Sequence, residues 1–353
     1  MRMRRPPYAI NGFFLTQRTT GVQRVAYEIV CALDGICDPG EFVLVVPEDS
    51  PVPSLCNVEV CRCGKGSMFF WEQIHLFRYL FQNGRFCINM CQSAPLLGTD
   101  FFFMHDCAYK THPEFFDGLH GLASRLYHML MFGIAARRQN RIMTVSLSAR
   151  DEICFEYELP KDKVSVIGCG WEHVDRIETS GLELEEFGLV PGSFFFSLGG
   201  GKNKNIDWVL DVARRNPEQQ FVIAGKKAAS NGSVYRESGN VRFLGYVSDS
   251  QVKALMRDCK AFLFPSTYEG FGLPPLEALA CGSKVIVSDI PVFRQTYGAS
   301  AVYIDPFFYD YDIVEIASKC VDSPEAVLEK NTWSKSAERL LSCVRDSLAG
   351  EAR

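Results

Sequence analysis

The sequence predicts an α/β protein with two domains, each built around a parallel β-sheet. Short apolar runs that suit buried strands alternate with segments of helical spacing, which is typical of parallel sheets with crossover helices. The chain has 353 residues, and single hydrophobic cores stop growing near ~250–300 residues. Its hydrophobic content of 47% is ample for two cores. We therefore expect two Rossmann-like layers with a cleft between them.

The first half of the chain supplies the elements of one layer. Its strands are predicted at the apolar runs Tyr8–Ile10, Phe42–Val46, Phe86–Met90, Phe101–Met104, Ile142–Val145 and Val164–Ile167. Its helices are predicted at Gly21–Leu33, Trp71–Phe81, Ser124–Gln139 and Ser148–Phe155.

The second half repeats this alternation. Its strands are predicted at Phe194–Leu198, Phe221–Ala224, Val241–Phe243, Ala261–Phe264, Lys284–Ser288 and Ala301–Ile304. Its helices are predicted at Ile206–Arg214, Asp249–Arg257 and Pro274–Ala280, followed by a last helix at Thr332–Leu348. Ser248 and Gln251 have the spacing of a capping box, which predicts that a helix begins there.

The domain boundary is predicted in the acidic segment between Gly170 and Gly192. We assign residues 1–175 to an N-terminal domain and 176–330 to a C-terminal domain. Residues 331–353 are expected to form a helix that packs back on the N-terminal domain.

Charge and cysteine spacing exclude several classes of protein. The net charge of −5 gives no reason to expect nucleic-acid binding. The 14 cysteines are irregularly spaced, which disfavours a zinc site and indicates reduced thiols in a cytoplasmic protein. The sequence contains no run of ~20 apolar residues, so no transmembrane helix is predicted.

The segment 261–282 combines several features of a ligand site. An apolar run at 261–264 predicts a buried strand, and Gly270 and Gly272 let the following backbone approach a ligand closely. Pro274 suits the first turn of a helix. Ligands bind at the carboxyl ends of strands in open α/β sheets, and a helix N-terminus favours a diphosphate.

Two glutamates in this segment, Glu269 and Glu277, are separated by seven residues. They resemble the E-x7-E signature of retaining glycosyltransferases with two Rossmann-like domains (the GT-B fold), and of glycosyltransferase family 4 in particular. The resemblance implies that Glu269 binds the donor sugar at the reacting centre and that Glu277 binds the ribose. It also implies that the loop between them contacts the departing diphosphate through Gly270, Phe271, Gly272 and Leu273.

The segment 198–205 resembles the phosphate-binding loop that follows the first strand of the family's second domain. Lys204 matches the family's lysine, whose positive charge suits a diphosphate leaving group. The family's preceding arginine is replaced by Asn203 here, and we expect Lys202 to supply the second charge.

Two positions in the first half resemble family sites. Gly21 stands where a glycine lets a helix N-terminus face the diphosphate. His105 follows the predicted strand 101–104, where the family places a histidine carbonyl against the anomeric centre, and Asp106 is interpreted as a turn residue. Taken alone, Gly21 is also typical of an ordinary turn, and His105 of a strand-end histidine satisfied by its neighbours.

The resemblance implies a retaining transfer of a hexose from a nucleotide-sugar to an acceptor hydroxyl, in the assembly of a bacterial surface polysaccharide such as O-antigen or capsule. Family frequency favours GDP-mannose as the donor, followed by UDP-hexoses. A lipid-linked saccharide is a candidate for the acceptor. No metal or other cofactor is expected, because the Asp310–Asp312 triplet lies beyond the site motifs and is interpreted as a loop or helix start.

Other functions stay open. One alternative is another GT-B enzyme, such as a nucleotide-sugar epimerase, and a second is a non-catalytic relative that binds nucleotide-sugars. The spacing of the two glutamates disfavours the first, and the intact Lys204 disfavours the second. Glycine-rich runs at 64–66, 168–170 and 199–201 fail the dinucleotide and P-loop patterns.

The segment Trp71–Phe81 carries aromatic residues at helical spacing. A helix that faces the core is the more ordinary interpretation. The alternative is a face that dips into a membrane to meet a lipid-linked acceptor, where Arg2, Arg4 and Arg5 would favour an anionic bilayer. We therefore predict peripheral contact with the inner face of the plasma membrane.

Overall fold

The structure is a computed structural model that describes residues 7–138, 141–225 and 239–351. The chain forms two compact units, Met1–Cys169 together with Trp333–Arg353, and Gly170–Thr332. The boundary thus lies after Cys169 rather than after residue 175. It lies there because the segment that follows bonds within the second unit, where Trp171 Nε1 donates to the Leu328 carbonyl oxygen at 3.1 Å.

Parallel strands form the sheet of the first unit. They are β1 (Tyr8–Asn11), β2 (Phe42–Val46), β3 (Glu59–Arg62), β4 (Phe86–Asn89), β5 (Phe101–Phe103), β6 (Arg141–Thr144) and β7 (Val164–Val166). Their order in the sheet is β3-β2-β1-β4-β5-β6-β7. The helices are α1 (Gly21–Asp34), α2 (Met68–Phe70), α3 (Phe77–Asn83), α4 (Ala108–Thr111), α5 (Gly118–Arg137) and α6 (Leu147–Glu156).

A π-helical segment at Trp71–Leu76 joins α2 to α3, so that one continuous helix, here the aromatic helix, runs from Met68 to Asn83. Trp71 is fully buried against β2 and β1, and Leu80 lies in the same core cluster. On the same face of the sheet, α5 covers β5 and β6 with Phe132. The opposite face carries Tyr8 and Phe42, which are also buried, so the core of the first unit lies on both faces of the sheet.

The second unit has the same architecture. Its strands are β8 (Phe194–Leu198), β9 (Gln220–Ala224), β10 (Val241–Gly245), β11 (Ala261–Phe264), β12 (Val285–Ser288) and β13 (Val302–Ile304). They are all parallel, in the order β10-β9-β8-β11-β12-β13. Its helices are α7 (Glu183–Glu186), α8 (Ile206–Arg215), α9 (Asp249–Asp258), α10 (Leu273–Ala280), α11 (Pro291–Tyr297), α12 (Ile313–Ser318) and α13 (Glu325–Lys330).

Both sheets confirm the predicted Rossmann-like fold. In each, the strand order reverses at a switch point, which lies between β1 and β4 in the first unit and between β8 and β11 in the second. Ligands of open α/β sheets bind outside the carboxyl ends of the strands at such a point. Asn11 and Asn89 end the strands at the first switch point, and Leu198 and Phe264 end those at the second.

The last helix, α14 (Trp333–Glu351), belongs to the first unit. The Tyr8 hydroxyl donates to the Val344 carbonyl oxygen at 2.7 Å. Arg345 forms a bidentate pair with Glu41, with both N···O distances at 2.7 Å. These contacts fix the helix against the first sheet.

The sequence prediction missed strand β3 and several short helices, among them α4, α7, α11 and α13, and it misplaced the start of α5. β3 is an edge strand whose first and last residues, Glu59 and Arg62, are charged and exposed, so it lacks the continuous apolar run of the other strands. α5 begins at Gly118, six residues before the predicted Ser124, because Gly118 and Gly121 made that stretch resemble a loop. The capping box at Ser248 and Gln251 is confirmed, since the Gln251 amide donates to Ser248 Oγ at 3.2 Å.

All the cysteines are free thiols, and only Cys56 and Cys320 are exposed. Burial raises the pKa of several others, to about 11 for Cys63 and to about 12 for Cys259 and Cys281.

Candidate active site

Lys204 and Glu269 form an ion pair at the switch point of the second sheet. The Lys204 Nζ atom lies 2.5 Å from Glu269 Oε1, and the two side chains are 22% and 13% exposed. Lys204 Nζ also lies 4.6 Å from the centroid of the Phe264 ring. Because this pair is partly shielded from water, its attraction is stronger than that of an exposed pair.

The two residues meet because each follows a strand that ends at the same edge of the sheet. After β8, the chain enters a 3-10 turn at Lys202–Lys204. Asn205 then adopts left-handed angles, φ 51° and ψ 48°, which asparagine tolerates better than most residues. Its Nδ2 atom donates to the Pro306 carbonyl oxygen at 2.9 Å. The turn that carries Lys204 is therefore tied to a second loop of the same unit.

Two further donors bind the same oxygen of Glu269. Asn203 Nδ2 donates to Glu269 Oε1 at 3.1 Å, and Ser266 Oγ donates to it at 2.6 Å. Asn203 Nδ2 also donates to the Tyr268 carbonyl oxygen at 3.0 Å. Together with Lys204, these side chains direct three donors to Oε1. The carboxylate is thus fixed in one orientation before any ligand binds.

Gly272 immediately precedes α10, and both its backbone conformation and its packing exclude any residue with a side chain. Its φ of 93° lies in the left-handed region, and a Cβ atom there would lie 2.4 Å from Phe293 Cε1. Its carbonyl oxygen accepts a hydrogen bond from the Tyr297 hydroxyl. The first amides of a helix have no acceptor within that helix and carry partial positive charge. The start of α10 at Leu273 therefore suits an anionic ligand.

Glu277 lies about one turn into α10 and pairs with His173, a residue to which the sequence pattern assigned no role. His173 Nε2 lies 2.8 Å from Glu277 Oε1. A carboxylate only accepts, so the imidazole donates from Nε2. The His173 side chain is 3% exposed and that of Glu277 is 18% exposed. This contact fixes one oxygen of Glu277 beside the partly open ligand edge.

Residues 193–315 match the family described as Glycosyl transferases group 1. The matched stretch lies within the second unit and contains Lys204, Glu269 and Glu277. The second unit thus contains a stretch that is similar to group 1 glycosyl transferases.

Curated relatives of this chain include two O-antigen mannosyltransferases. O-antigen chain mannosyltransferase RfbU of Salmonella typhimurium is 28% identical over 233 residues, covering 64% of this chain and 62% of that protein. O-antigen chain mannosyltransferase B of Escherichia coli is 26% identical over 211 residues, covering 56% of this chain and 53% of that protein. The chain thus spans less than two thirds of the length of either relative.

Solved structures resemble the whole chain in fold. Sucrose-phosphate synthase from Thermosynechococcus elongatus has a TM-score of 0.68 at 14% identity, covering 98% of this chain and 100% of that chain. HepE of Anabaena, in complex with UDP and glucose, has a TM-score of 0.67 at 14% identity, covering 96% and 99%. WaaG, a glycosyltransferase involved in lipopolysaccharide biosynthesis, has a TM-score of 0.63 at 13% identity, covering 94% of each chain. The chain therefore has the GT-B fold.

Within the second unit, the structure places the predicted loop residues as follows. Lys202 begins the turn that ends at Lys204. Asn203 stands at the position of the family's arginine, and its side chain contacts Glu269. Gly270 and the buried Phe271 connect Glu269 to the start of α10.

His105 lies in the first unit, outside the stretch that matches the family. Its Nε2 atom is 2.8 Å from the Met90 carbonyl oxygen, and its ring stacks on Phe103. Burial lowers the pKa of His105 to about 4, so the imidazole is neutral at physiological pH and donates to that carbonyl. The side chain is thus satisfied by neighbours, and a role of the backbone carbonyl stays a prediction. Asp106 is confirmed as a turn residue, since its Oδ1 accepts from the Ala108 amide at 2.9 Å.

Gly21 is the first residue of α1, and a Cβ atom there would meet no other atom within 4 Å. Beside it, the loop before α1 and the first turns of α1 line an open cavity of about 410 Å³. The cavity is bordered by Gln17, Gln23, Arg24 and Tyr27. Packing therefore does not require a glycine at this position.

The Asp-x-Asp triplet has structural roles. Asp312 Oδ1 caps α12 by accepting from the amides of Val314 and Glu315 at 3.0 and 3.1 Å. Asp310 pairs with Arg215 at 3.5 Å. The interpretation as a helix start is confirmed.

The first switch point also holds a carboxylate, Glu72, on the π-helical segment. Its Oε1 atom accepts from Asn11 Nδ2 at 2.8 Å and from Ser93 Oγ at 2.7 Å, and Asn11 Nδ2 also lies 3.1 Å from Asn89 Oδ1. The side chain is fully buried, and Oε2 has no partner among the described residues. Burial raises the pKa of Glu72 to about 7, although hydrogen bonds from Ser93 and Asn11 lower it.

Sequence reasoning missed four residues that shape these two switch points. They are Asn203, Ser266, His173 and Glu72. Asn203 and Ser266 lie next to the recognised motifs in the sequence, and this position could have indicated that both contact Glu269. No local signal distinguishes His173 or Glu72, because each acts through a partner distant in the chain.

Proposed function

We propose that the chain is a retaining glycosyltransferase of family 4 that moves a hexose from a nucleotide-sugar to an acceptor hydroxyl. The observation that carries this proposal is the Lys204–Glu269 pair at the switch point of the second unit, within the stretch that is similar to group 1 glycosyl transferases. The pair combines a cation for a leaving phosphate with a carboxylate for a sugar.

In the proposed mechanism, the diphosphate binds between Lys204 and the start of α10. The lysine charge and the helix amides are fixed before the reaction, so they stabilise the negative charge that develops on the leaving group. Lys204 then shares its ammonium group between Glu269 and the phosphate. Because Oε1 of Glu269 already accepts from three donors, Oε2 is the oxygen that we assign to the sugar hydroxyls.

Glu277 is assigned to the ribose hydroxyls of the donor. A buried His173 fixes its Oε1 atom, and Oε2 would accept from the ribose. The leaving phosphate would take the proton of the acceptor hydroxyl, so no side chain is assigned as a nucleophile. The resemblance assigns the His105 carbonyl to the anomeric centre of the donor sugar and Gly21 to the diphosphate.

Mannose is the first candidate for the transferred sugar, with GDP-mannose as the donor and UDP-hexoses as the second choice. The support is that both O-antigen relatives are named mannosyltransferases. The same names support O-antigen assembly as the setting. A lipid-linked saccharide as the acceptor, used on the cytoplasmic side of the membrane, is assigned from the family resemblance.

The transfer is proposed to need no metal ion. Lys204 and the amides at the start of α10 supply positive charge where other glycosyltransferases use a bound cation. Activity that a chelator abolishes and manganese restores would contradict this part of the proposal.

The test is a donor screen followed by a product analysis. Purified chain is incubated with nucleotide-sugars, and binding is measured as a rise in melting temperature, since a ligand of the folded state stabilises it. The donor that binds is then supplied with a lipid-linked saccharide, and the anomeric configuration of the product is determined by NMR. We expect GDP-mannose to bind and the product to keep the donor's α configuration. Inversion, or release of an epimerised sugar without any acceptor, would overturn the proposal.

A further inference from the structure

Two helices of the first unit expose apolar side chains in regular stripes. On α5 the exposed residues are Leu119, Leu122, Leu126 and Leu130, at intervals of three, four and four residues. On the aromatic helix, Phe70, Ile74 and Phe81 are exposed at intervals of four and seven. These intervals place each set on one helix face.

The stripes lie opposite the faces that the two helices bury. Trp71 and Leu80 turn the aromatic helix toward one core cluster, and Met131 and Phe132 turn α5 toward another. Each helix is therefore apolar on both its inner and its outer face. Leu119 is 89% exposed and Phe81 is 80% exposed. Single exposed apolar residues are ordinary, but a contiguous apolar patch marks an interaction site.

The two helices are neighbours, so the stripes form one surface. At the start of the aromatic helix, the Phe69 ring lies 6.4 Å from the Tyr127 ring of α5. Further along, Gln73 Oε1 accepts from the Leu96 amide at 2.7 Å, and the Leu96 carbonyl oxygen accepts from Arg138 just after α5. The same loop exposes Leu97. We call the stripes and this leucine the two-helix surface.

The charges on this surface have one sign. Between residues 118 and 138 there is no aspartate or glutamate, and between 68 and 83 the only one is the buried Glu72. Arg78, Arg137 and Arg138 are exposed on these two stretches. Asp117, immediately before α5, is the nearest acidic residue along that helix. This face combines apolar side chains with arginines and has no exposed carboxylates. It therefore complements a partner with an apolar interior and negative charges at its surface.

We infer that the two-helix surface docks on a bilayer that contains anionic phospholipid. The helices lie in the plane of the membrane, with the leucine and phenylalanine side chains among the acyl chains and the arginines at the phosphate groups. None of the helices in the described part of the chain has the length and hydropathy of a membrane span, so docking is peripheral. This extends the proposed function, because it would bring the domain to a lipid-linked acceptor.

The surface differs from the one expected from the sequence. The predicted membrane contact used the segment Trp71–Phe81 and the arginines near the N-terminus. Trp71 itself faces the core, and Arg2, Arg4 and Arg5 lie outside the described residues. The leucine stripe of α5 begins at Leu119, before the predicted helix start at Ser124.

The test is sedimentation of the purified full chain with vesicles of anionic or zwitterionic phospholipid. Leu126→Glu/Leu130→Glu should weaken partitioning into anionic vesicles by at least roughly tenfold per leucine, as expected for losing the burial of each side chain. Phe81→Glu, on the neighbouring helix, is an independent variant that should weaken binding in the same direction. Val190→Glu is the matched control, because Val190 is similarly exposed but lies in the second unit; it should bind like the native chain.

Arg78→Glu/Arg137→Glu isolates the electrostatic part. It should weaken binding to anionic vesicles at ~0.1 M salt and have little effect at ~1 M, where the Debye length is about 3 Å. Circular dichroism and melting temperature check that each variant is folded.

The inference is overturned if the folded native chain does not sediment with anionic vesicles at low salt, or if the leucine variant sediments equally well. It is also overturned if native chain fails to bind vesicles but forms a dimer that the leucine variant lacks, which would make a second copy the occupant. Donor binding in solution is measured without vesicles, so a failure of the proposed function is recorded separately.

Discussion

Each of the two switch points holds a glutamate, but the two carboxylates have different surroundings. In the second unit, Glu269 is partly open to solvent and accepts from Lys204, Asn203 and Ser266 on one oxygen. In the first unit, Glu72 is fully buried and accepts only from neutral groups on its Oε1 atom.

This difference separates two uses of a carboxylate. The Lys204 ammonium lies 2.5 Å from Glu269, so this carboxylate has an opposite charge beside it in a partly open site. Burial without a cation favours the neutral form of Glu72, and its pKa rises to about 7. The same topology thus provides an open charged site in one unit and a sealed polar cluster in the other.

Removing the cation should give the largest effect. Lys204→Ala should lower turnover by roughly 100- to 1000-fold, because one fixed charge on a developing anion has about this value. Steady-state kinetics with saturating donor would measure it. Lys202→Ala is the matched control from the same turn and should have a smaller effect. Normal turnover in the Lys204 variant would show that the pair is structural only.

The sealed carboxylate should appear in the pH dependence of stability. Its folded pKa is raised, so its stabilising contribution is complete below about pH 4.5 and is lost as pH rises through about 7. Glutamine cannot ionise, so the Glu72→Gln variant should not lose this contribution. Its free energy of unfolding should exceed that of the native chain by about 3 kcal/mol at pH 8, with little difference at pH 4.5.

Chemical denaturation at several pH values would test this, with the difference between native chain and variant as the measured quantity. Glu59→Gln, on the exposed edge strand, removes one carboxylate from the surface as a control. A difference between native chain and Glu72→Gln that does not vary with pH would contradict the assignment.

The two glutamates of the second unit should fail in different ways. Glu269→Ala should chiefly lower turnover, because its contacts with the sugar strengthen as bond breaking builds positive character on the ring. Glu277→Ala should chiefly raise the donor KM. A hydrogen bond to a charged group is worth ~1.5–3 kcal/mol, so each effect should be roughly 10- to 100-fold. An unchanged donor KM for Glu277→Ala, or unchanged turnover for Glu269→Ala, would show that the carboxylate is misassigned.

The smallest effect is expected at His173, which contacts Glu277 and would act on the proposed nucleotide only through that residue. His173→Ala should raise the donor KM roughly 3- to 10-fold without lowering turnover, as for one lost hydrogen bond. His173→Gln keeps a donor and should recover part of the loss. A fall in turnover with unchanged KM would place His173 in the chemical step instead.

The sequence predicted the parts of the fold that depend on local pattern. Buried parallel strands are continuous apolar runs, so Phe42–Val46, Phe194–Leu198 and Ala261–Phe264 match the structure residue for residue. An edge strand pairs with only one neighbour and stays partly exposed to solvent, so its side chains need not be apolar. This explains why Glu59–Arg62 showed no continuous apolar run. The glycines at the start of α5 were misleading because helix formation there depends on packing rather than propensity.

The candidate site was predicted only as far as its motifs reach. Glu269 and Lys204 were recognised by resemblance, and the structure adds that they contact each other. The bond between His173 and Glu277 joins residues 104 positions apart, and that between Asn11 and Glu72 joins residues 61 apart. Only the folded chain brings such pairs together.

The distribution of thiols has a practical consequence for spectroscopy. Cys56 and Cys320, the two exposed cysteines, lie in different units. Maleimide dyes react with the thiolate, so they should modify these two positions before the buried thiols whose pKa is raised. The native chain can therefore carry one fluorophore on each unit without mutagenesis. Energy transfer between the dyes would then report, in real time, any change in the distance between the units when a nucleotide-sugar is added.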